Sequence, residues 1–231
     1  MPYRRLPNTD NARIKALRTA VESAAATDFQ QLPVSMNVLT EAKHVVARFE
    51  RLCERYQQLY EVQVKANKQF LTKVKNARMY LSHFVQVLYL SVMRAEIRED
   101  QLTDYGLEGE NMIVPDLTTH EQILAWGEKI IEGENARISR GGVPIYNPSI
   151  AKVNVMYVLF KEGYQTQLLH KKATTRVLGE VAEYRVTVDR VIHDLWEEVE
   201  KSHMHLPAEQ RLSQNRQYGV VYYFRKGETA E

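Results

Sequence analysis

Two Glu-x-x-His quartets, Glu41-Ala42-Lys43-His44 and Glu200-Lys201-Ser202-His203, carry the most chemically suggestive spacing in this sequence. On a helix that spacing sets a carboxylate and an imidazole on one face, as in ferritin-like di-iron bundles, which also need a further glutamate from each of two other helices. The neighbouring residues argue against a metal. Ala42 and Val45 sit on an apolar seam, so His44 shares the solvent face with Asn37, Arg51 and Gln58, while Glu200 and His203 fall in the last turn of their helix, where His203-Met204-His205 reads as a frayed end. No metal site and no cofactor is expected.

His83 stands among largely apolar neighbours and reads as a hydrogen-bonded core histidine; the competing reading makes it, with nearby tyrosines, the centre of an interior ligand-binding or catalytic pocket. Tyr56, Tyr80, Tyr157, Tyr184 and Tyr222, five of the 13 tyrosines, are expected to fill core space and carry their hydroxyls to its edge. The single cysteine, Cys53, lies in an apolar helical pattern and cannot close an intramolecular disulfide. It reads as a packing residue of a protein in a reducing compartment, with nothing nearby to stabilise a thiolate.

Charge supplies the other candidate site. Lys plus Arg (31) against Asp plus Glu (29) leaves a net +2, too little to imply a polyanionic partner by itself. The distribution is uneven, however. Between Val62 and Ala95 there is no acidic residue, and Lys65, Lys68, Lys73, Lys75 and Arg78 cluster there, while Lys171, Lys172 and Arg176 form a second basic patch. Placed at two helix turns at one end of a bundle, with the acidic stretches Glu96 to Glu110 and Asp194 to Glu200 at the other, they would make an axially polar molecule, its basic end either simply solvated or a contact for an anion, a protein partner or a membrane surface. Nucleic acid ranks below a protein partner or self-association. The sequence holds no GxGxxG, GxxxxGK[ST], GxSxG, HExxH or CxxC motif, which favours a non-enzymatic protein over an enzyme.

The elements that must position these residues are helices. From Val34 to Tyr105 the chain has neither glycine nor proline, and Val38, Ala42, Val45, Phe49, Leu52, Tyr56 and Leu59 alternate steps of four and three. Phe70, Val74, Ala77, Leu81, Phe84, Leu88 and Ala95 continue the pattern with a slight change of phase, and the polar stretch Gln63 to Asn67 predicts a turn between two helices, one uninterrupted helix being the alternative. The nearly all-apolar run Phe84 to Met93 belongs at the centre, and the chain then leaves the helix through Gly106 and Gly109.

A first helix capped by Asn8 or Thr9 carries Ile14, Leu17, Val21 and Ala24 or Ala25. Thr118-Thr119-His120-Glu121 has the spacing of a capping box, from which a helix runs to about Ile138. Asn147-Pro148 should cap a helix running nearly to Leu206 along Val177, Val181, Tyr184, Val188, Val191, Leu195 and Val199, with a turn between Leu169 and Thr175. Val220 to Phe224 has strand composition, and Met112-Ile113-Val114 is its expected partner.

The fold class is therefore all-α: an antiparallel, coiled-coil-like bundle of long helices with a minor β pairing near the C-terminus. It is read as one elongated domain over 1–231, with a pseudo-repeat of 1–115 and 116–231 as a variant, since Tyr105-Gly106-Leu107 and Tyr218-Gly219-Val220 close the two halves alike. The basic N-terminus is followed by no apolar run, and no segment approaches membrane-spanning length, so a cytoplasmic protein is expected.

The phrases Leu81-Ser82-His83-Phe84-Val85-Gln86-Val87-Leu88, Gly142-Val143-Pro144-Ile145-Tyr146-Asn147-Pro148-Ser149 and Tyr218-Gly219-Val220-Val221-Tyr222-Tyr223 resemble segments of an uncharacterised bacterial family of helical proteins. The likeness extends over most of the chain and implies a bacterial cytoplasmic protein. It brings no activity, ligand or catalytic residue. The leading functional expectation is a helical interaction or scaffold protein, ahead of a bundle with an interior pocket and of a polyanion binder.

Overall fold

The computed structural model describes residues 3–108 and 112–224. Gly109 and Glu110, which figure in the expectations above, lie outside the described residues. The architecture is all-α, with long helices packing against one another and one short two-stranded sheet. In chain order it comprises β1 (Tyr3–Arg4), α1 (Asp10–Ala26), α2 (Met36–Met93), a 3-10 helix at Glu99–Tyr105, α3 (His120–Ser139), α4 (Ile150–Ser202), α5 (Ala208–Gln217) and β2 (Tyr222–Tyr223). A further 3-10 turn spans Phe29–Gln31.

The turns expected at Gln63 to Asn67 and at Leu169 to Thr175 are absent, and α2 and α4 run unbroken for 58 and 53 residues. Phase explains why. Leu59, Gln63, Ala66 and Phe70 keep the four-three step, so the seam crosses the polar stretch without interruption, and no proline or glycine forces a stop. The polarity shows instead as imperfect packing, since Gln63 Oε1 and Gln167 Nε2 are buried without a hydrogen-bond partner.

The end of α2 also departs from expectation. It stops at Met93, and Ala95, expected on the seam, is exposed and adopts φ 60°. The Ala95 and Glu96 amides donate to the carbonyls of Val92 (2.9 Å) and Ser91 (3.0 Å), a left-handed helix cap of the kind glycine usually serves. Gly106 (φ 66°) and Gly219 (φ 78°) make the same closure, with Leu107 and Val220 buried immediately after them.

The cap of α1 falls on one of the two expected residues, and those of α3 and α4 shift by a residue or two. Thr9 caps α1, accepting from the Ala12 amide at 3.2 Å. The box that starts α3 is formed by Thr119 and Gln122, not Thr118 and Glu121, because the Thr118 hydroxyl and amide are both turned to Asp116. α4 begins after Ser149 rather than at Asn147-Pro148, and it ends at Ser202, short of Leu206. The strand partner is corrected as well: β2 pairs antiparallel with β1, Tyr223 opposite Tyr3 and Tyr222 opposite Arg4.

The chain forms two compact units, and α2 and α4 each contribute a stretch to both. Unit 1 covers 1–60 and 173–231, and its core joins Leu17 and Ala20 of α1 to Ala42 and Phe49 of α2 and to Val188, Ile192 and Trp196 of α4, with Tyr218 and Val220 closing it. Val177 is buried, and the α4 seam from Val181 to Val199 faces this core; on α1 the buried stripe is Ala16, Leu17, Ala20 and Ala24, with Ile14 and Val21 at its margin and Ala25 exposed. Unit 2 covers 61–172, where Phe70, Leu81, Phe84 and Leu88 of α2 meet Tyr105, Ile123 and Ile130 of the next elements and Val153 and Phe160 of α4. Met112 and Val114, expected in a strand, pack at the edge of this second core. Within the expected central run, Phe84, Val85, Leu88 and Tyr89 are buried while Leu90 and Met93 face out.

Candidate functional site

Of the eight basic residues singled out, Lys75 and Arg78 share a concavity. They stand one turn apart on α2 in unit 2 and line a groove of about 540 Å³ with Leu71, Val74, Met79, Ser82 and His120. Leu71 (56%) and Met79 (51%) are exposed despite their apolar side chains. Burying such groups is favourable by about 25 cal/mol per Å², so their exposure beside two cations marks a surface suited to an apolar, acidic contact.

The groove wall is held rigidly. Arg78 Nη2 donates to the Thr118 carbonyl at 2.8 Å, tying α2 to the start of α3. His120, the first residue of α3, is wedged among Phe70 (ring centres 5.1 Å apart), Tyr164 (5.1 Å) and Phe160 (6.1 Å). Tyr164 Oη donates to Glu121 at 2.6 Å, and that bond, first among the causes, holds the Glu121 carboxyl below its ordinary range. Asp116 is likewise held low, first by the Thr118 hydroxyl and then by Gln122. Asp116 and Glu121 therefore stay ionised beside the groove, Asp116 within electrostatic reach of Arg78, and their charge partly offsets that of the cations.

Lys65 and Lys68 are exposed on α2, and Lys171 and Lys172 are exposed on α4. The stem of Lys73 packs toward Gly163 of α4, on a different face of α2 from Lys75. Arg176 belongs to unit 1, where it lies 3.8 Å from Glu180. None of them flanks a helix turn, because α2 and α4 run unbroken at both expected turn positions. Of the acidic stretches, residues from Glu96 belong to unit 2, and Asp194 to Glu200 belong to unit 1.

His83 is exposed, not core: Phe84 and Leu81 take the inward positions, which turns His83 outward with Gln86. His44 is exposed, and Glu41 pairs with Arg190. Glu200 and His203 are not frayed: Glu200 accepts from Arg4 at 2.9 Å and from the Tyr222 hydroxyl, and His203 Nδ1 meets Asn215 Oδ1 at 2.8 Å. Among the described residues no three His, Cys, Asp or Glu side chains converge as a metal site would require. Cys53 lines a separate groove in unit 1 with Asp10, Glu50 and Arg185. Burial, and then the Asp10 carboxylate, push its thiol up to about 11, far from a reactive thiolate.

The polar constellation that sequence reasoning missed is buried in unit 2. Glu134 and Arg137, one turn apart on α3, are 0% and 2% exposed and pair at 2.9 Å. Tyr105 Oη donates to Glu134 Oε2 at 2.5 Å, Arg137 Nε reaches the same hydroxyl at 2.9 Å, and the Ile145 amide donates to Glu134 Oε1 at 3.0 Å. Arg137 Nη2 also donates to the Val143 carbonyl at 2.8 Å. Both carboxylate oxygens therefore carry two donors each, a saturation that leaves no lone pair aimed at a substrate. The one available signal was Gly133 beside Glu134, since a side chain there would strike the Asp104 carbonyl at 2.8 Å and the Tyr105 ring.

Comparison with protein-family models, with curated proteins and with solved structures finds no match. The groove beside His120 offers cations, an imidazole, the Ser82 hydroxyl and exposed aliphatic surface.

Proposed function

We propose that this is a non-enzymatic helical interaction protein whose α2 surface in unit 2 docks an acidic, apolar-studded helix of a protein partner. The observation that carries the reading is the outer face of α2. Val64, Leu71, Met79, Leu90 and Met93 are 46–70% exposed and recur, with Lys68 and Lys75 between them, at helical steps, while no acidic residue occurs from Val62 to Ala95. Such a stripe matches a helix that brings aliphatic side chains at one-turn spacing and carboxylates beside them. A polyanion would use the lysines alone and leave the aliphatic groups wet, which is why a protein partner is favoured.

Saturation of the Tyr105–Glu134–Arg137 cluster supports the non-enzymatic reading, since the most deeply buried charges of unit 2 are spent on the fold. No helix among the described residues is long and apolar enough to cross a membrane. We place the protein in the cytoplasm, on the single, half-buried thiol of Cys53.

The test is site-specific photocrosslinking in cells from a benzophenone side chain at Met79, with Val186, an exposed aliphatic of unit 1, as control. Crosslinked peptides from Met79 should be acidic and amphipathic, and Lys75→Glu with Arg78→Glu should abolish them. Basic or nucleic-acid adducts, or a pattern equal to that from Val186, would refute docking here.

A further inference from the structure

Unit 1 carries a second groove, independent of the α2 surface, and we infer that it binds a small organic anion, a carboxylate or phosphate borne on an apolar body. Its walls are the segment after β1, the first turns of α1 and the chain entering β2. The volume, about 470 Å³, is that of a small-molecule site.

Three cations line it, Arg5, Lys15 and Arg216, and no aspartate or glutamate does. That imbalance stands out in unit 1, where the arginines nearby are compensated: Arg4 by Glu200 at 2.9 Å, Arg13 by Asp189 at 2.7 Å and Arg18 by Glu50 at 2.6 Å. Lys15 lies on the same helix as Arg13 and Arg18, yet neither it nor Arg216 forms an ion pair among the described residues. Arg5 is steered over the Tyr223 ring, 5.5 Å from its centre, while its amide is fixed to the Val221 carbonyl at 3.2 Å. Its charge thus stays at the groove rim instead of being neutralised.

The floor is apolar and close-fitting. Ala12 and Ala16 present only methyl groups, and Gly219 brings the chain so near α1 that a Cβ would lie 2.7 Å from the Ala16 carbonyl. Small residues hollow the space and Val220 backs it, so an acyl or aryl group would bury apolar area while its charge met the guanidinium and ammonium groups at the mouth. A purely ionic ligand would leave that floor wet, and a purely apolar one would bury it at no gain from three cations.

The experiment is fluorescence titration of the full chain with 8-anilinonaphthalene-1-sulfonate, an aryl anion that brightens in apolar surroundings. One site per chain is expected. Octanoate should displace the probe, whereas octanol and inorganic phosphate should each compete at least about tenfold less well. Lys15→Glu with Arg216→Glu should weaken the probe by at least about tenfold, and Lys43→Glu with Arg51→Glu, an equal charge change on an exposed face of the same unit, should not. Ala12→Leu, which fills the floor without altering charge, should weaken binding as well. Several equal sites, octanol matching octanoate, or the two charge variants behaving alike would overturn the proposal.

Discussion

Glu134 and Arg137 form a buried ion pair within one turn of α3, and Tyr105, arriving from the 3-10 helix, bonds to both partners. The trio fastens three segments of unit 2 to one another: the 3-10 helix, α3 and the loop at Val143 to Ile145. Removing one member strands the others. Glu134→Ala should therefore destabilise by about 3–5 kcal/mol, the cost of an uncompensated buried charge, and Tyr105→Phe by about 1–2 kcal/mol. Urea unfolding followed by circular dichroism distinguishes them; equal and small effects would mean water reaches the pair.

Left-handed helix stops make opposite predictions at two positions. Ala95 pays for a conformation that glycine adopts freely, so Ala95→Gly should raise stability by about 1 kcal/mol. Gly219→Ala should lower it by more than about 1–2 kcal/mol, since the added methyl also meets the Ala16 carbonyl. Melting temperatures of the two variants should move in opposite directions.

Continuity of α2 is open to a direct chemical test. Asn67 is exposed, so replacing it loses little packing, but Asn67→Pro removes a helical amide and should cost about 3 kcal/mol. A turn at that point would accept proline with little change, and an unaltered melting temperature would contradict the unbroken helix.

Gln63 places a buried acceptor on the seam without a donor. Gln63→Leu removes that group and adds apolar contact, so stability should rise by about 1 kcal/mol, read from the urea midpoint at unchanged slope.

Alkaline pH should weaken the fold in a defined window. The Cys53 thiol is raised from 9.0 to about 11, and burial, followed by hydrogen bonds to Glu134 and Glu200 respectively, raises the Tyr105 and Tyr222 hydroxyls. A group with a raised folded-state pKa binds its proton more tightly when folded, so its contribution is complete below pH 9 and is lost as pH climbs through about 11. The urea midpoint should stay level from pH 7 to 9 and fall above it, Cys53→Ala should lessen the early part of the fall, and native Cys53 should react with a disulfide reagent more slowly at pH 8 than the unfolded chain.

How much of this was legible beforehand varies element by element. The α4 seam from Val177 to Val199, the inward residues Phe70, Leu81, Phe84 and Leu88, and the Thr9 cap were readable because each depends on local periodicity or a single hydrogen bond. The α2 stop at Ala95 was not, because nothing about alanine advertises a left-handed residue. Nor was the orientation of His83, since apolar neighbours in sequence say little about which side of a nearly all-apolar turn faces water.

Helical class and the acid-free stretch of α2 were determined by the order of residues alone, because a period of 3.6 and a run of charge are properties of neighbours along the chain. The pairing of β2 with β1, the meeting of Tyr105 with Glu134 and Arg137, and the gathering of Arg5, Lys15 and Arg216 around one hollow were decided only by tertiary structure. Those contacts join residues as much as 220 positions apart, Tyr3 with Tyr223, and which distant segments meet depends on how the apolar faces of whole helices fit together, a quantity that no local pattern encodes.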